Sequence, residues 1–312
     1  MTNRYLVTGS MGCIGAWVLK HLVDAGKEVV SYDLSSTRHR VNALISAENQ
    51  HPITFVQGDL TDYTQLVAAI EQHAVTHIIH LAALQVPFCK ADPIMGAQVN
   101  VVGTVNILEA ARQAGIKHLT YASSIAAFGS PDDYPKGLLA HDALPNPHTL
   151  YGVYKVANEN TARVYWQDYG VSSIGLRPYT VYGVGRDQGL TSDPTKAIIA
   201  ALKGEPFEIG FSGGMQFHLA SDVALQFIAA AEQTDFNDAD VFALGTPVAT
   251  VAEFVNHIRA HLPNAQITQK PTILPFPPGC DDSELRRRVP HVYETPLADG
   301  ISQTVAHFRR LI

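Results

Sequence analysis

The 312-residue sequence predicts an α/β protein in which a doubly wound parallel sheet is joined to a smaller C-terminal domain. Three observations carry that expectation. Short apolar runs alternate with segments of helical period, a glycine-rich turn links the first strand to the first helix, and the alternation loosens after Pro178.

"RYLVTGS" reads as a strand running into glycines, and "GCIGAWVLKHLVDAG" carries apolar residues at helical spacing before stopping at Gly26. "EVVSYDL" is a second strand. There follow a strand "ITFVQGD", a helix from Tyr63 to His73, a strand "THIIHLAA", a long helix within Pro93 to Ala114, a strand "HLTYASS", a helix from Tyr151 to Tyr169 and a strand "VSSIGLRP". Strands that are apolar on both faces, with helices between them, indicate a sheet covered on both sides. Beyond the glycine-rich loop "VYGVGRDQG" the pattern predicts a helix near Thr195 to Lys203. In "FHLASDVALQFIAAAEQ" it predicts a strand end capped by Ser221 or Asp222 into a helix, in "DVFALG" another sheet strand, and in "TVAEFVNHIRAHL" a further helix. Pro271 to Pro278 reads as loop. The expected division is a Rossmann-type domain over 1–178, rejoined by segments at about 214–245, with 179–312 mainly a smaller substrate-binding domain. A ligand belongs in the cleft between the two.

A chain of this length buries about three quarters of its unfolded surface, so it needs no covalent staples. Its three cysteines, Cys13, Cys89 and Cys280, are odd in number and scattered, which points to a reducing compartment. A formal net charge of -7 without a basic stripe excludes a nucleic-acid surface. No apolar stretch reaches the length a bilayer demands, and the N-terminus lacks the form of a signal peptide, so a cytoplasmic protein without a membrane partner is expected.

Gly9, Gly12 and Gly15, with Cys13 and Ile14 between the last two, form G-x-x-G-x-x-G between a strand and a helix. Glycine permits the tight turn and lets backbone N–H groups reach a pyrophosphate at the positive end of the helix. Asp33, ending the second strand, is placed to accept hydrogen bonds from an adenosine ribose and to repel a 2′-phosphate, which favours NAD over NADP. Arg38 and Arg40 nearby work against that preference, and a plain turn role for Asp33 is the other reading. "YGVYK" sets Tyr151 and Lys155 four residues apart, which stacks a phenol and an ammonium on one helix face. Alone, that spacing also occurs on ordinary solvated helices.

Together with the glycine turn, the segments "GDL" at Gly58 to Leu60, "LAA" at Leu81 to Ala83, "NVVGTVNILEAA" from Asn100, the pair Ser123 and Ser124, and Tyr151 with Lys155 occur in one order along the chain. In this the sequence resembles the extended short-chain dehydrogenase/reductase superfamily, the group of NAD-dependent sugar epimerases and dehydratases, over essentially its whole length. The resemblance implies that Tyr151 is the general acid/base at a substrate hydroxyl. Lys155 then holds the nicotinamide ribose and lowers the tyrosine pKa, and Ser124 hydrogen-bonds the substrate oxygen, with Ser123 as its understudy. It also implies that Asp59 and Leu60 surround the adenine and that Leu81, Ala82 and Ala83 run along the cofactor between its riboses. Asn100 is counted with the cofactor residues, with fixing of backbone as its other possible role. A homodimer is implied as well.

Departures from the family pattern bear on the substrate. The dehydratases follow the catalytic Ser/Thr with an acidic pair, where this chain has Ile125 and Ala126, neither able to move a proton. Nucleotide-sugar enzymes tend to carry an Asn and an Arg where Thr180 and Met215 stand, and no Lys or Arg occurs between Lys203 and Arg259. A pyrophosphate wants cationic or backbone donors. The run Arg286, Arg287 and Arg288 could supply charge or be a solvated face. The expectation is therefore a dehydrogenase taking hydride onto NAD from a small polyhydroxy substrate, namely a sugar, sugar acid or lactone. Gln85 and Thr180 are candidate substrate contacts, and Arg186 either pairs with a substrate carboxylate or bridges to Asp187. A nucleotide-sugar epimerase with transient oxidation and a non-catalytic NAD-binding sensor are the alternatives. His77 and His80, three apart on a strand, point to opposite faces and make a poor metal pair, so no metal is expected.

Overall fold

The computed structural model describes residues 3–312. In chain order the elements are β1 (Arg4–Thr8), α1 (Cys13–Asp24), β2 (Glu28–Asp33), α2 (His39–Leu44), β3 (Ile53–Gln57), α3 (Tyr63–Gln72), β4 (His77–His80), α4 (Val86–Ala91), α5 (Pro93–Ala97) and α6 (Gly103–Gln113). They continue with β5 (His118–Ala122), α7 (Leu150–Tyr169), β6 (Ser172–Arg177), β7 (Thr180–Tyr182), α8 (Asp193–Lys203), β8 (Phe207–Ile209), β9 (Gly214–Leu219), α9 (Ala220–Glu232) and β10 (Ala239–Ala243). The last are β11 (Val248–Thr250), α10 (Val251–His261), β12 (Ile267–Gln269), α11 (Ser283–Arg288) and α12 (Leu297–Phe308).

Seven strands form one parallel sheet in the order β10-β6-β5-β4-β1-β2-β3. Strand order reverses beside β1, where Thr8 lies level with Tyr32 on one side and His80 on the other. In an open parallel sheet such a reversal leaves a crevice at the carboxyl ends of the strands. α1 and α9 cover one face, where Ala16, Leu19, Val223 and Phe227 pack, and α3 and α6 cover the other through Leu66, Ile70, Ile107 and Leu108. A third core, with Phe217, Phe254, Ile258 and Ile301, lies in the C-terminal part around the three-stranded sheet β11-β9-β7.

The C-terminal segments differ from expectation in ways their hydrogen bonds explain. The return to the large sheet begins at Ala220, because β9 pairs with β7 and β11 instead. Neither Ser221 nor Asp222 caps α9. Ser221 hydrogen-bonds the His21 ring, while the Asp222 carboxylate accepts from the backbone N and hydroxyl of Thr295. The long helix expected within Pro93 to Ala114 is interrupted by a π-helical turn at Gln98–Val102. The arginine run is a surface feature: Arg286 pairs with Asp282 and Glu294, Arg287 with Glu284, and Arg288 with Asp238 and Asp240. Among the described residues no helix is long and apolar enough to cross a membrane.

Candidate active site

The glycine turn closes as the sequence requires. Gly9 has φ +66°, and a Cβ there would come within 2.6 Å of Ala82 N, so only glycine lets the turn lie against the segment after β4. Thr8 and His80 fix that segment from below. The Thr104 hydroxyl donates to Asn100 O at 2.7 Å, so its oxygen accepts from His80 Nε2, and His80 Nδ1 in turn accepts from Thr8 Oγ1 at 2.7 Å. Burial, reinforced by the charge of Lys155, pushes the His80 pKa down to about 3 and keeps the ring neutral.

Burial also pushes His218 down to about 3. Both rings regain an ordinary pKa on unfolding, so the unfolded chain binds more protons between about pH 3 and 6.5, and stability is lost as pH falls through that window. Unfolding in urea is expected to lose about 2 kcal/mol between pH 6 and pH 5 from these two rings. A midpoint that does not move over that interval would contradict their burial as neutral groups.

A cavity of about 580 Å³ opens along the crevice. Gly9, Gly12, Cys13, Ile14, Gly15 and Asp33 line one side, and Asp59, Leu60, Leu81, Ala82 and Ala83 the other. Asp33 accepts from Met11 N at 2.9 Å and Ser35 N at 2.9 Å, which fixes its carboxylate at the rim. Asp59 faces the cavity while holding Thr61, and the cap of α3 is Asp62. Both nearby arginines are engaged within the protein. Arg38 lies 3.5 Å from the centroid of the Phe55 ring, and Arg40 pairs with Asp187 at 2.6 Å.

A second cavity of about 170 Å³ adjoins the first and contains Ser124, Tyr151, Lys155, Gln85 and Arg186. Thr149 caps α7 by accepting from Gly152 N, and Gly152 presses onto the turn after β5, where a Cβ would lie 2.0 Å from Ala126 O. The glycine of "YGVYK" thus brings Tyr151 up to Ser124. Lys155 Nζ donates to Ala122 O at 2.6 Å and lies 5.5 Å from the Tyr151 ring centroid. Burial lowers the lysine pKa to about 8, with Glu159 pulling the other way.

Tyr151 stands opposite to expectation in the protein alone. Burial pushes it up to about 12, against the weaker pull of the Ser124 hydroxyl and the Arg186 charge. Ser123 is engaged elsewhere, donating to the buried carboxylate of Glu159, which also holds Arg177 through bonds of 2.8 and 2.6 Å.

Two expected contacts lie outside both cavities. Asn100 is buried and spans Leu84, accepting from its N at 2.7 Å and donating to its O at 2.9 Å, so it fixes backbone beside the crevice. Thr180 has no exposure, because β-pleat alternation turns Tyr179 and Val181 to the cavity and Thr180 away from it. Its hydroxyl meets Met215 Sδ at 3.2 Å, so the two departures from the nucleotide-sugar pattern touch each other. The bridge from Arg186 to Asp187 does not form. Arg186 reaches Thr191 Oγ1 at 3.1 Å, with its Nε buried and unpartnered among the described residues. Thr191, Tyr179 and Phe276 also line this cavity, Phe276 from the proline-rich loop, where sequence periodicity offers no signal.

A glycine cradle at a strand-order reversal, an acidic residue at the end of β2 and a Ser-Tyr-Lys group beside them define an NAD-binding oxidoreductase of the extended short-chain dehydrogenase/reductase type. The sequence pattern of the NAD dependent epimerase/dehydratase family matches residues 5–245, and the chain belongs to that family. It is 31% identical to a UDP-glucose 4-epimerase of Mycolicibacterium smegmatis, over 98% of both chains. The Thermus thermophilus UDP-glucose 4-epimerase, solved in complex with NAD, superposes with a TM-score of 0.80 at 27% identity over 99% of this chain and 100% of that one. A GalE-like L-threonine dehydrogenase from Cupriavidus necator shares the fold with a TM-score of 0.85 at 24% identity, over 97% and 99% of the two chains. NAD is the cofactor, and the residues of the larger cavity fit it.

Proposed function

We propose that this protein is an NAD-dependent dehydrogenase that oxidises a carbinol carbon of a small polyhydroxy compound, a sugar acid before a neutral sugar or lactone. The observation that supports this most is the small cavity at Tyr151, whose wall carries Arg186 with no carboxylate partner among the described residues. A guanidinium half-buried in that wall suits a substrate carboxylate. Bound NAD supplies the hydride acceptor. Tyr151 takes the hydroxyl proton, Ser124 orients the same oxygen, and Lys155 holds the ribose and keeps positive charge beside the phenol. The products are a ketone or lactone and NADH.

Replacing Arg186 by Leu is expected to raise KM for an acidic substrate roughly 10- to 100-fold with a smaller change in kcat. Equal KM values in the two proteins would remove the carboxylate from the reading.

A nucleotide-sugar epimerase is the second reading, favoured by the name of the Mycolicibacterium relative. Against it stand the size of the cavity and the Thr180–Met215 contact, at positions where an Asn and an Arg would serve a nucleotide sugar. The deciding experiment is NADH absorbance with NAD and a panel of aldonates, uronates, lactones, sugars and nucleotide sugars. Catalytic accumulation of NADH with a small compound supports the dehydrogenase. Epimerised UDP-sugar without NADH replaces it with the second reading.

A further inference from the structure

The loop after β7 crosses the cofactor cavity as a strap and is tied to the first half of the chain. Val184 O accepts from Trp17 Nε1 at 3.0 Å, and Gly185 O accepts from Arg40 Nε at 3.1 Å. Asp187 follows. One of its carboxylate oxygens takes Arg40 Nη2 at 2.6 Å, and the other lies 3.1 Å from His39 Nε2.

Arg40 and Asp33 share one residue as their footing. Arg40 Nη1 donates to Met11 O at 2.8 Å, while Asp33 accepts from Met11 N at 2.9 Å. The guanidinium thus lies within one residue's span of the carboxylate that meets the adenosine ribose, and both line the same cavity. An arginine in that position would attract a ribose 2′-phosphate. Asp187 occupies it instead.

We infer that Asp187, contributed by the strap, is a second determinant of NAD specificity, acting by neutralising Arg40 at the adenosine end of the cavity. Asp33 repels a 2′-phosphate directly, and Asp187 withdraws the cation that would offset that repulsion. The Arg38 side chain is stacked on Phe55 and so is not aimed there. This inference concerns the cofactor alone and holds for either substrate reading.

The test measures dissociation constants of NAD and NADP, by competition against bound-NADH fluorescence, for the unsubstituted protein and for Asp187→Asn and Asp187→Glu. In Asp187→Asn the preference for NAD over NADP is expected to shrink about tenfold, the effect of one unmasked charge a few ångströms from the phosphate. Asp187→Glu, which keeps the charge, is expected to retain the wild-type ratio. An unchanged ratio in Asp187→Asn, with both cofactors weakened alike, would assign Asp187 to holding the strap and overturn the inference. An equal shift in Asp187→Glu would overturn it too, since charge would then not be the cause.

Discussion

Tyr151→Phe is expected to lower turnover by roughly 10²- to 10⁴-fold while leaving NAD affinity nearly unchanged. In the proposed reaction the phenol takes the proton of the substrate hydroxyl, and Ser124 lines the same cavity with Lys155 one turn on. With its pKa pushed up to about 12, however, the protein alone holds this tyrosine as a neutral acid. Reaching neutrality requires a drop of about 5 units, or roughly 7 kcal/mol. The positive charge of bound oxidised nicotinamide would act in that direction, as does that of Lys155. Phenolate absorbance should therefore appear at lower pH when NAD is added. Full activity in the phenylalanine variant would move the proton path to another group.

Arg177→Met is expected to destabilise the protein by about 3–5 kcal/mol, measured by urea unfolding. Arg177 and Glu159 are both buried, and each is the other's charge partner. Removing the guanidinium leaves a carboxylate in the interior with Ser123 as its remaining side-chain donor among the described residues. The double variant Arg177→Met with Glu159→Leu should be less damaged than the single one, because it strands no charge. If the double variant lost as much as the sum of the two singles, the pair would be acting through packing. The Arg177 guanidinium also lies 4.8 Å from the Phe128 ring centroid, the contact such an outcome would implicate. Glu159 lies one turn beyond Lys155 on α7, so the pair also anchors the helix that presents Tyr151.

The parts of the site that could be read from sequence are those written in one short segment. Gly9 to Gly15 form a single turn, Asp33 ends a strand, and Tyr151 and Lys155 share a helix face by spacing alone. Asn100 and Thr180 could not be placed that way, because their roles depend on which side of an element faces the cavity. Asn100 sits within a π-helical turn that alters helical phase, and Thr180 begins a three-residue strand too short to show alternation. The Arg40–Asp187 pair joins segments far apart in the chain and leaves no local pattern. The direction of the Tyr151 shift was hidden for another reason: desolvation is a property of the closed cavity, and the sequence names only the charges.

The packing of α9 against α1 bears on how the protein comes into being. The helix that follows the glycine turn is synthesised well before its cover, because Phe227 and Val223, which pack on its apolar side, come roughly two hundred residues later, some 10–40 seconds at ordinary rates of synthesis. Phe242 and β10, which complete the sheet edge and this core, come later still. A chain stopped after residue 178 would expose Ala16, Leu19 and their neighbours to water. The nascent half must remain open, or be shielded by a chaperone, until α9 arrives to close it.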